Sequence, residues 1–332
     1  MCYTNYQLDL ARLLTMRTQR GYFFLKEKAL KQQYNKPPLT IAKQADLLLS
    51  RGLQGISKSD LEEKLKSINY YRLRGYTYPY QDNSIPDSPF LKSNNWQFIW
   101  NDYIMDSRLR SLIFESIGHI EITFRTQLEL VMSLKYGSRW YSDNRYFYNK
   151  SRFSKDFAEL EDDWNRSQED FKIHYETKYD DTIVPPAWMI FETSTFGVVS
   201  KYYSNIDSVV PEKADIAAYF GFSKAAVKIL VSWIHHLNTV RNICAHHSRL
   251  YSKSIITRPI FPKHISGSWV SAWPADDRIY ATICIIKKLL DICAPDFDFI
   301  NQLRPIIKMA RKEQLPSMGI PETWENEALF KN

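Results

Sequence analysis

Glycine is scarce in this chain, at 10 of 332 residues. Strand-like alternation is equally hard to find, and together these absences argue against a β-rich fold. Cysteine is rarer still. Cys2, Cys244, Cys284 and Cys293 show no Cys-x-x-Cys spacing, which argues against a zinc ribbon or a redox pair. They sit mostly in apolar helical contexts, so buried free thiols are expected rather than disulfides. No apolar run approaches the roughly 20 residues that span a bilayer. The best candidate, Ala225 to Ile234, is interrupted by Lys228. Met1 to Leu10 lacks a basic stretch followed by an apolar one, so no secretory leader is expected. A cytoplasmic protein with no membrane partner is the expectation.

What is present is helical periodicity, 21 tyrosines and a formal net charge of +7. The periodicity predicts an all-α fold. The charge favours an anionic partner such as nucleic acid, although a solvated basic surface gives the same number.

Residues 1–38 read as a basic helical extension carrying Arg12, Arg17, Arg20, Lys26, Lys28 and Lys31, ended by Lys36-Pro37-Pro38. These cations could track a phosphate backbone. Residues 39–95 read as a small helical module. One helix covers 39–52, capped by Thr40 and stopped by Gly52. A second starts at Ser59-Asp60-Leu61-Glu62 with a capping box. It leads into Asn69-Tyr70-Tyr71-Arg72-Leu73-Arg74-Gly75-Tyr76. There Tyr70, Tyr71, Arg72 and Arg74 could stack bases and hold phosphates, or simply pack between helices. Residues 96–300 read as a helical core and 301–332 as a C-terminal tail. From Trp96 to Tyr136, Leu109, Leu112, Ile113, Ile117, Ile120, Phe124, Leu128 and Met132 recur at three- and four-residue steps. Glu121 flanks this stripe and can pair with Arg125 one turn on. An insertion near 137–186 carries a helix from about Lys155 to Tyr175, and another helix covers Trp188 to Tyr203.

Chemistry concentrates in Arg241-Asn242-Ile243-Cys244-Ala245-His246-His247. Arginine binds phosphate through a planar fork of donors, and histidine moves protons near neutral pH. On a wheel of about 100° per residue with Val227 at zero, Leu230, Val231, Ile234 and Leu237 define a core face. Arg241 and Asn238 fall inside that face. A cation there needs an anion, from its own core (Glu121), a second protomer or a substrate. His235, Thr239, Asn242 and His246 form a separate polar stripe, which Arg249 extends. His247 lies away from the stripe and could take part only if the helix breaks before it. Metal binding by His235, His236, His246 and His247 lacks an ordering spacing, so no metal and no cofactor is expected.

Arg241, Asn242 and His246 match the Arg-Asn-x-x-x-His signature of HEPN ribonucleases. The wider segment Arg241 to Leu250 resembles the Abi-like abortive-infection family of bacterial antiphage proteins. Arg51-Gly52-Leu53, Asn69 to Tyr76, the Glu121–Arg125 pair and Pro186-Ala187-Trp188 through Phe196-Gly197 match in the same order. The likeness covers about residues 39–255. It implies a HEPN-like helical bundle and metal-independent endoribonuclease activity in defence or as a toxin. It also implies a homodimer, since relatives pair two such motifs in one site. The chain is similar, too, to proposed single-HEPN ancestors of RNA-guided type VI CRISPR effectors, some of which associate with a small noncoding RNA.

The resemblance assigns Arg241, Asn242 and His246 to catalysis, with His247, Glu121 and Arg125 in support. RNA is the expected substrate, cut by attack of the ribose 2′-hydroxyl. A non-catalytic protein that forms a ribonucleoprotein with a small noncoding RNA is the alternative. A third reading has Tyr251 modified by a nucleotidyl-transferring partner, and a fourth is a purely structural interaction protein.

Overall fold

This computed structural model describes residues 35–180, 184–262 and 267–331. It also describes the backbone of a short strand pair, β1 (Arg17–Thr18) antiparallel to β2 (Gly21–Tyr22). The helix expected across the extension therefore does not run through these residues. Arg12, Arg20, Lys26, Lys28 and Lys31 lie outside the described residues, as does the side chain of Arg17.

Thirteen α-helices make up the described residues, joined by loops and 3-10 turns. They are α1 (Ile41–Ser50), α2 (Lys58–Ser67), α3 (Tyr70–Thr77), α4 (Trp96–Tyr136), α5 (Lys150–Arg166) and α6 (Asp170–Lys178). Then follow α7 (Ala187–Thr193), α8 (Phe196–Asn205), α9 (Glu212–Tyr219), α10 (Val227–Ala245), α11 (Ile279–Cys293), α12 (Phe299–Ile307) and α13 (Leu315–Met318). The fold is all-α.

Thr40 caps α1, its hydroxyl accepting from the Lys43 N–H, and Gly52 stops it at φ +94°. Glycine suits that left-handed position because it has no Cβ to clash. The expected cap of α2 at Ser59 is corrected. Ser57 holds the extended cap conformation and accepts from the Asp60 N–H at 3.1 Å, while Ser59 already lies in the helix.

The spine is α4, about 60 Å long at 1.5 Å per residue. Its apolar stripe from Leu109 to Met132 is buried throughout. Around it pack α3, α7, α8, α9, α10, α11 and α12. The insertion holds two helices rather than one, because Ser167 turns extended between α5 and α6. The helix expected over 188–203 is likewise two, broken at Ser194. The segment 301–332 packs onto the core. Leu303, Ile307, Leu329 and Phe330 are buried, and Arg311 donates to the Tyr80 hydroxyl at 2.5 Å beside Asp102.

Among the described residues no helix is long and apolar enough to cross a membrane. Cys244, Cys284 and Cys293 are free thiols.

Candidate functional site

The helix α10 presents a different face to the core than the wheel predicts. Its buried residues are Ile229, Leu230, Trp233, Ile234, His236, Leu237, Val240 and Cys244. That face is rotated by roughly 80° from the one that Val227, Leu230, Val231, Ile234 and Leu237 define. The cause is His236, counted as polar from sequence but fully buried. Its ring nitrogens bond the Thr257 carbonyl and the Thr282 hydroxyl, at 2.5 and 2.8 Å. Burial pushes its pKa down to about 4, so the ring stays neutral. The rotation moves Arg241 from the centre of the buried face to its edge, where its side chain is 34% exposed. Asn242 and His246 are exposed.

The helix ends at Ala245 in a Schellman turn. The His247 N–H bonds the Cys244 carbonyl and the Ser248 N–H bonds the Ile243 carbonyl, at 2.9 and 3.0 Å. His247 takes the left-handed position of this turn at φ +54°, where glycine is usual. So the helix does break before His247, and its side chain reaches the surface instead of the core.

A buried carboxylate fixes this turn. Asp106 on α4 accepts from the backbone N–H groups of Leu250 and Tyr251, at 2.9 and 2.7 Å. It also accepts from the Tyr76 hydroxyl at 2.6 Å and is ion-paired to buried Arg110. Two more bonds tie α3 to the same segment: Arg72 donates to the His247 carbonyl, and Arg249 to the Gly75 carbonyl. The Tyr70 hydroxyl accepts from Arg51 at 3.0 Å. These contacts give Arg72 and Arg249 a holding role around the motif, while Tyr70 ties α3 to Arg51. Tyr71 stays 68% exposed beside them, and Arg74 is half-buried.

The three charged candidates on α4 and α10 differ in how fully they are used. Arg125 is saturated: it donates to the carbonyls of Phe191, Glu192 and Ser194 and pairs with Glu121 at 2.9 Å. It caps the end of α7 from the side. Glu121 lies between Arg125 and Arg241, half-buried, and burial raises its carboxyl against the pull of both cations. Arg241 makes only a 3.9 Å ion contact to Glu121 and a 3.5 Å bond to Asn242. Its guanidinium lies over the exposed Phe114 ring at 5.5 Å. Its Nε is buried with no hydrogen-bond partner, and among the described residues its Nη2 has none either.

A cleft of about 350 Å³ opens at this end of α10, lined by Ser107, Arg110, Ser111, Phe114, Cys244 and His247. Burial pushes the Cys244 thiol up to about 12, which keeps it protonated and unreactive at neutral pH. His247 and the Phe114 ring beneath Arg241 share this opening. His246 does not line it. Residues five apart on a helix diverge by about 140°, so Arg241 and His246 leave α10 on different sides.

Two other candidates lie near or on α10. Tyr251 is buried, stacked on Tyr76 and under Arg249, and lines an opening of about 480 Å³ shared with Tyr80 and Arg311. The four histidines are not gathered. Among the described residues no group of three or more His, Cys, Asp or Glu side chains could hold a metal ion.

Asp106, Arg110, Phe114 and Cys244 are the contributors that sequence reasoning missed. A signal existed for the first two, an acid and a base four apart in an otherwise apolar stripe.

No curated protein and no solved structure matches the chain. The family model described as Abi-like protein matches residues 63–252, from α2 past the Schellman turn. That span is more than half of the chain, and it holds Asp106, the Glu121–Arg125–Arg241 array and the whole Arg241–His247 motif. The chain belongs to the Abi-like protein family.

Proposed function

We propose that this protein is a metal-independent endoribonuclease of bacterial antiphage defence. The observation that carries the reading is the contrast between Arg125 and Arg241. One guanidinium is saturated by the fold. The other lies between Glu121 and Phe114, half-exposed beside Asn242, and makes no hydrogen bond to the fold beyond that to Asn242. A planar fork of free donors suits the equatorial oxygens of a phosphate.

In this reading the 2′-hydroxyl of RNA attacks the adjacent phosphorus. The bond to the 5′ oxygen breaks, leaving a cyclic 2′,3′-phosphate and a 5′-hydroxyl. Arg241 stabilises the added negative charge of the transition state. His246 takes the hydroxyl proton or supplies one to the leaving oxygen, and Asn242 orients the phosphate. Because Arg241 and His246 diverge within one chain, a homodimer supplies the complementary residues across a shared site. Tyr71 and Arg74 lie beside the motif and extend the RNA-binding surface.

The test incubates the purified protein with bacterial RNA in EDTA. Cyclic phosphate ends that disappear in His246→Ala, at unchanged melting temperature, support the reading. A requirement for magnesium or manganese overturns it. Intact RNA that copurifies as one discrete small species favours the ribonucleoprotein instead.

A further inference from the structure

Cleavage by a 2′-hydroxyl moves two protons. One leaves the attacking hydroxyl and one reaches the departing 5′ oxygen, on opposite sides of the phosphorus. A single imidazole within hydrogen-bond reach of one of these oxygens is out of reach of the other. With His246 at one of them, the other needs a second group.

The end of α10 sorts the motif onto two sides. Arg241, Cys244 and Ala245 stand at i, i+3 and i+4 and share one side of the helix. Cys244 and Ala245 line the cleft, and the Arg241 guanidinium lies over Phe114, which lines it too. Asn242 and His246, four apart, share another side. On a continued helix His247 would stand about 120° from Arg241. The break at φ +54° cancels that divergence and turns the His247 side chain to the cleft. One chain therefore brings Arg241's side of the helix and His247 to the same opening.

The backbone of His247 is held while its ring is left free. Its N–H bonds the Cys244 carbonyl, and its own carbonyl accepts from Arg72. Asp106 pins the Leu250 and Tyr251 N–H groups just beyond. The side chain is exposed, and among the described residues its ring makes no hydrogen bond or ion pair. Glycine takes this left-handed position most readily, so the turn itself has no need of an imidazole. Among the described residues no acidic side chain lines the cleft, which leaves it open to a phosphate. A fixed backbone that presents a free ring is the preorganisation a reacting group needs.

We propose, resting on the nuclease reading, that His247 is a second catalytic residue, which touches the RNA in this cleft and makes the proton transfer that His246 does not. One histidine takes the proton of the 2′-hydroxyl as the bond from that oxygen to phosphorus forms. The other, protonated at the start, gives its proton to the 5′ oxygen as the bond from phosphorus breaks. The two rings end with their protonation states exchanged.

The test follows cleavage of a short RNA in EDTA by the full-length parent, His246→Gln, His247→Gly and His247→Asn, from about pH 5 to about pH 9. Glycine and asparagine both accept the left-handed turn, so they remove the imidazole and keep the backbone. Each His247 variant is expected to lose about 10²–10⁴-fold in kcat, with KM within about three-fold and no fall in melting temperature. The parent's bell-shaped pH profile should lose one limb in the His247 variants and the other limb in His246→Gln. A side chain that only holds the turn would change stability or KM and leave the bell intact. Parental kcat, or an intact bell, in both His247 variants overturns the role of His247 while the nuclease reading stands. A parent that cuts no RNA overturns both.

Discussion

Replacing Asp106 by alanine is expected to be among the costliest single changes in this protein. The carboxylate is fully buried and serves four donors: two backbone N–H groups, the Tyr76 hydroxyl and Arg110. Its removal leaves Arg110, only 6% exposed, as an unpaired buried cation, a loss of about 3–5 kcal/mol. The N–H groups of Leu250 and Tyr251 lose their acceptor as well, at about 1–3 kcal/mol each. One carboxylate serves all of these, so the terms do not add fully. A total of about 4 kcal/mol or more is expected, a large part of the roughly 5–15 kcal/mol that holds a domain together. Asp106→Asn keeps an acceptor for the backbone and should cost less. Adding Arg110→Met to Asp106→Ala removes the orphaned charge and should restore about 1–3 kcal/mol. Urea denaturation followed by circular dichroism, compared at a common m-value, measures all of these. A loss below about 1 kcal/mol for Asp106→Ala, or a double variant no more stable than the single, would refute the buried hub.

His246→Ala should leave stability within about 0.5 kcal/mol of the parent, because the side chain is exposed. Any loss of RNA cleavage in that variant then reports on chemistry, and a collapse of the melting temperature would contradict the placement. His247→Gly relieves a left-handed residue and should raise stability by up to about 1 kcal/mol, offset in part by the freer unfolded chain; clear destabilisation would show that the imidazole holds the turn. Glu129 on α4 is buried with one oxygen unpartnered. Burial, aided by the charge of Glu192 and opposed by Arg125, pushes its pKa from the usual 4.5 up to about 8. Between those values the folded protein binds more protons than the unfolded chain, so this group's contribution to stability falls as pH rises, at up to ~1.4 kcal/mol per pH unit. Glu129→Gln should flatten that fall above pH 5, and identical pH profiles for the two proteins would sink the assignment.

The long helix α4 was legible to the residue, because eight apolar side chains repeat in one stripe, which no proline interrupts and which carries past Gly118. The face of α10 was not. His236 and Trp233 turn that helix, and a histidine reads as polar until Thr257 and Thr282 are seen to satisfy both ring nitrogens. The Arg241–His247 motif stood out by residue type, yet which of its groups stay free depends on partners distant in the chain. Arg125 and Arg241 look equivalent in sequence. Only the carbonyls gathered at the break after α7 show that one is saturated and the other is not. The cap of α2 slipped by two residues because Ser57 and Ser59 both precede an acid at capping distance, and only backbone conformation separates them.

Asp106 joins segments 144 and 145 residues apart in sequence. Contacts of such separation form late, since the closing of a long loop precedes their reward. During synthesis, the turn that carries His246 and His247 lacks its Asp106 anchor until the ribosome has released the chain past Tyr251. Until then the motif is present but its buried frame is incomplete, an interval set by chain length and topology.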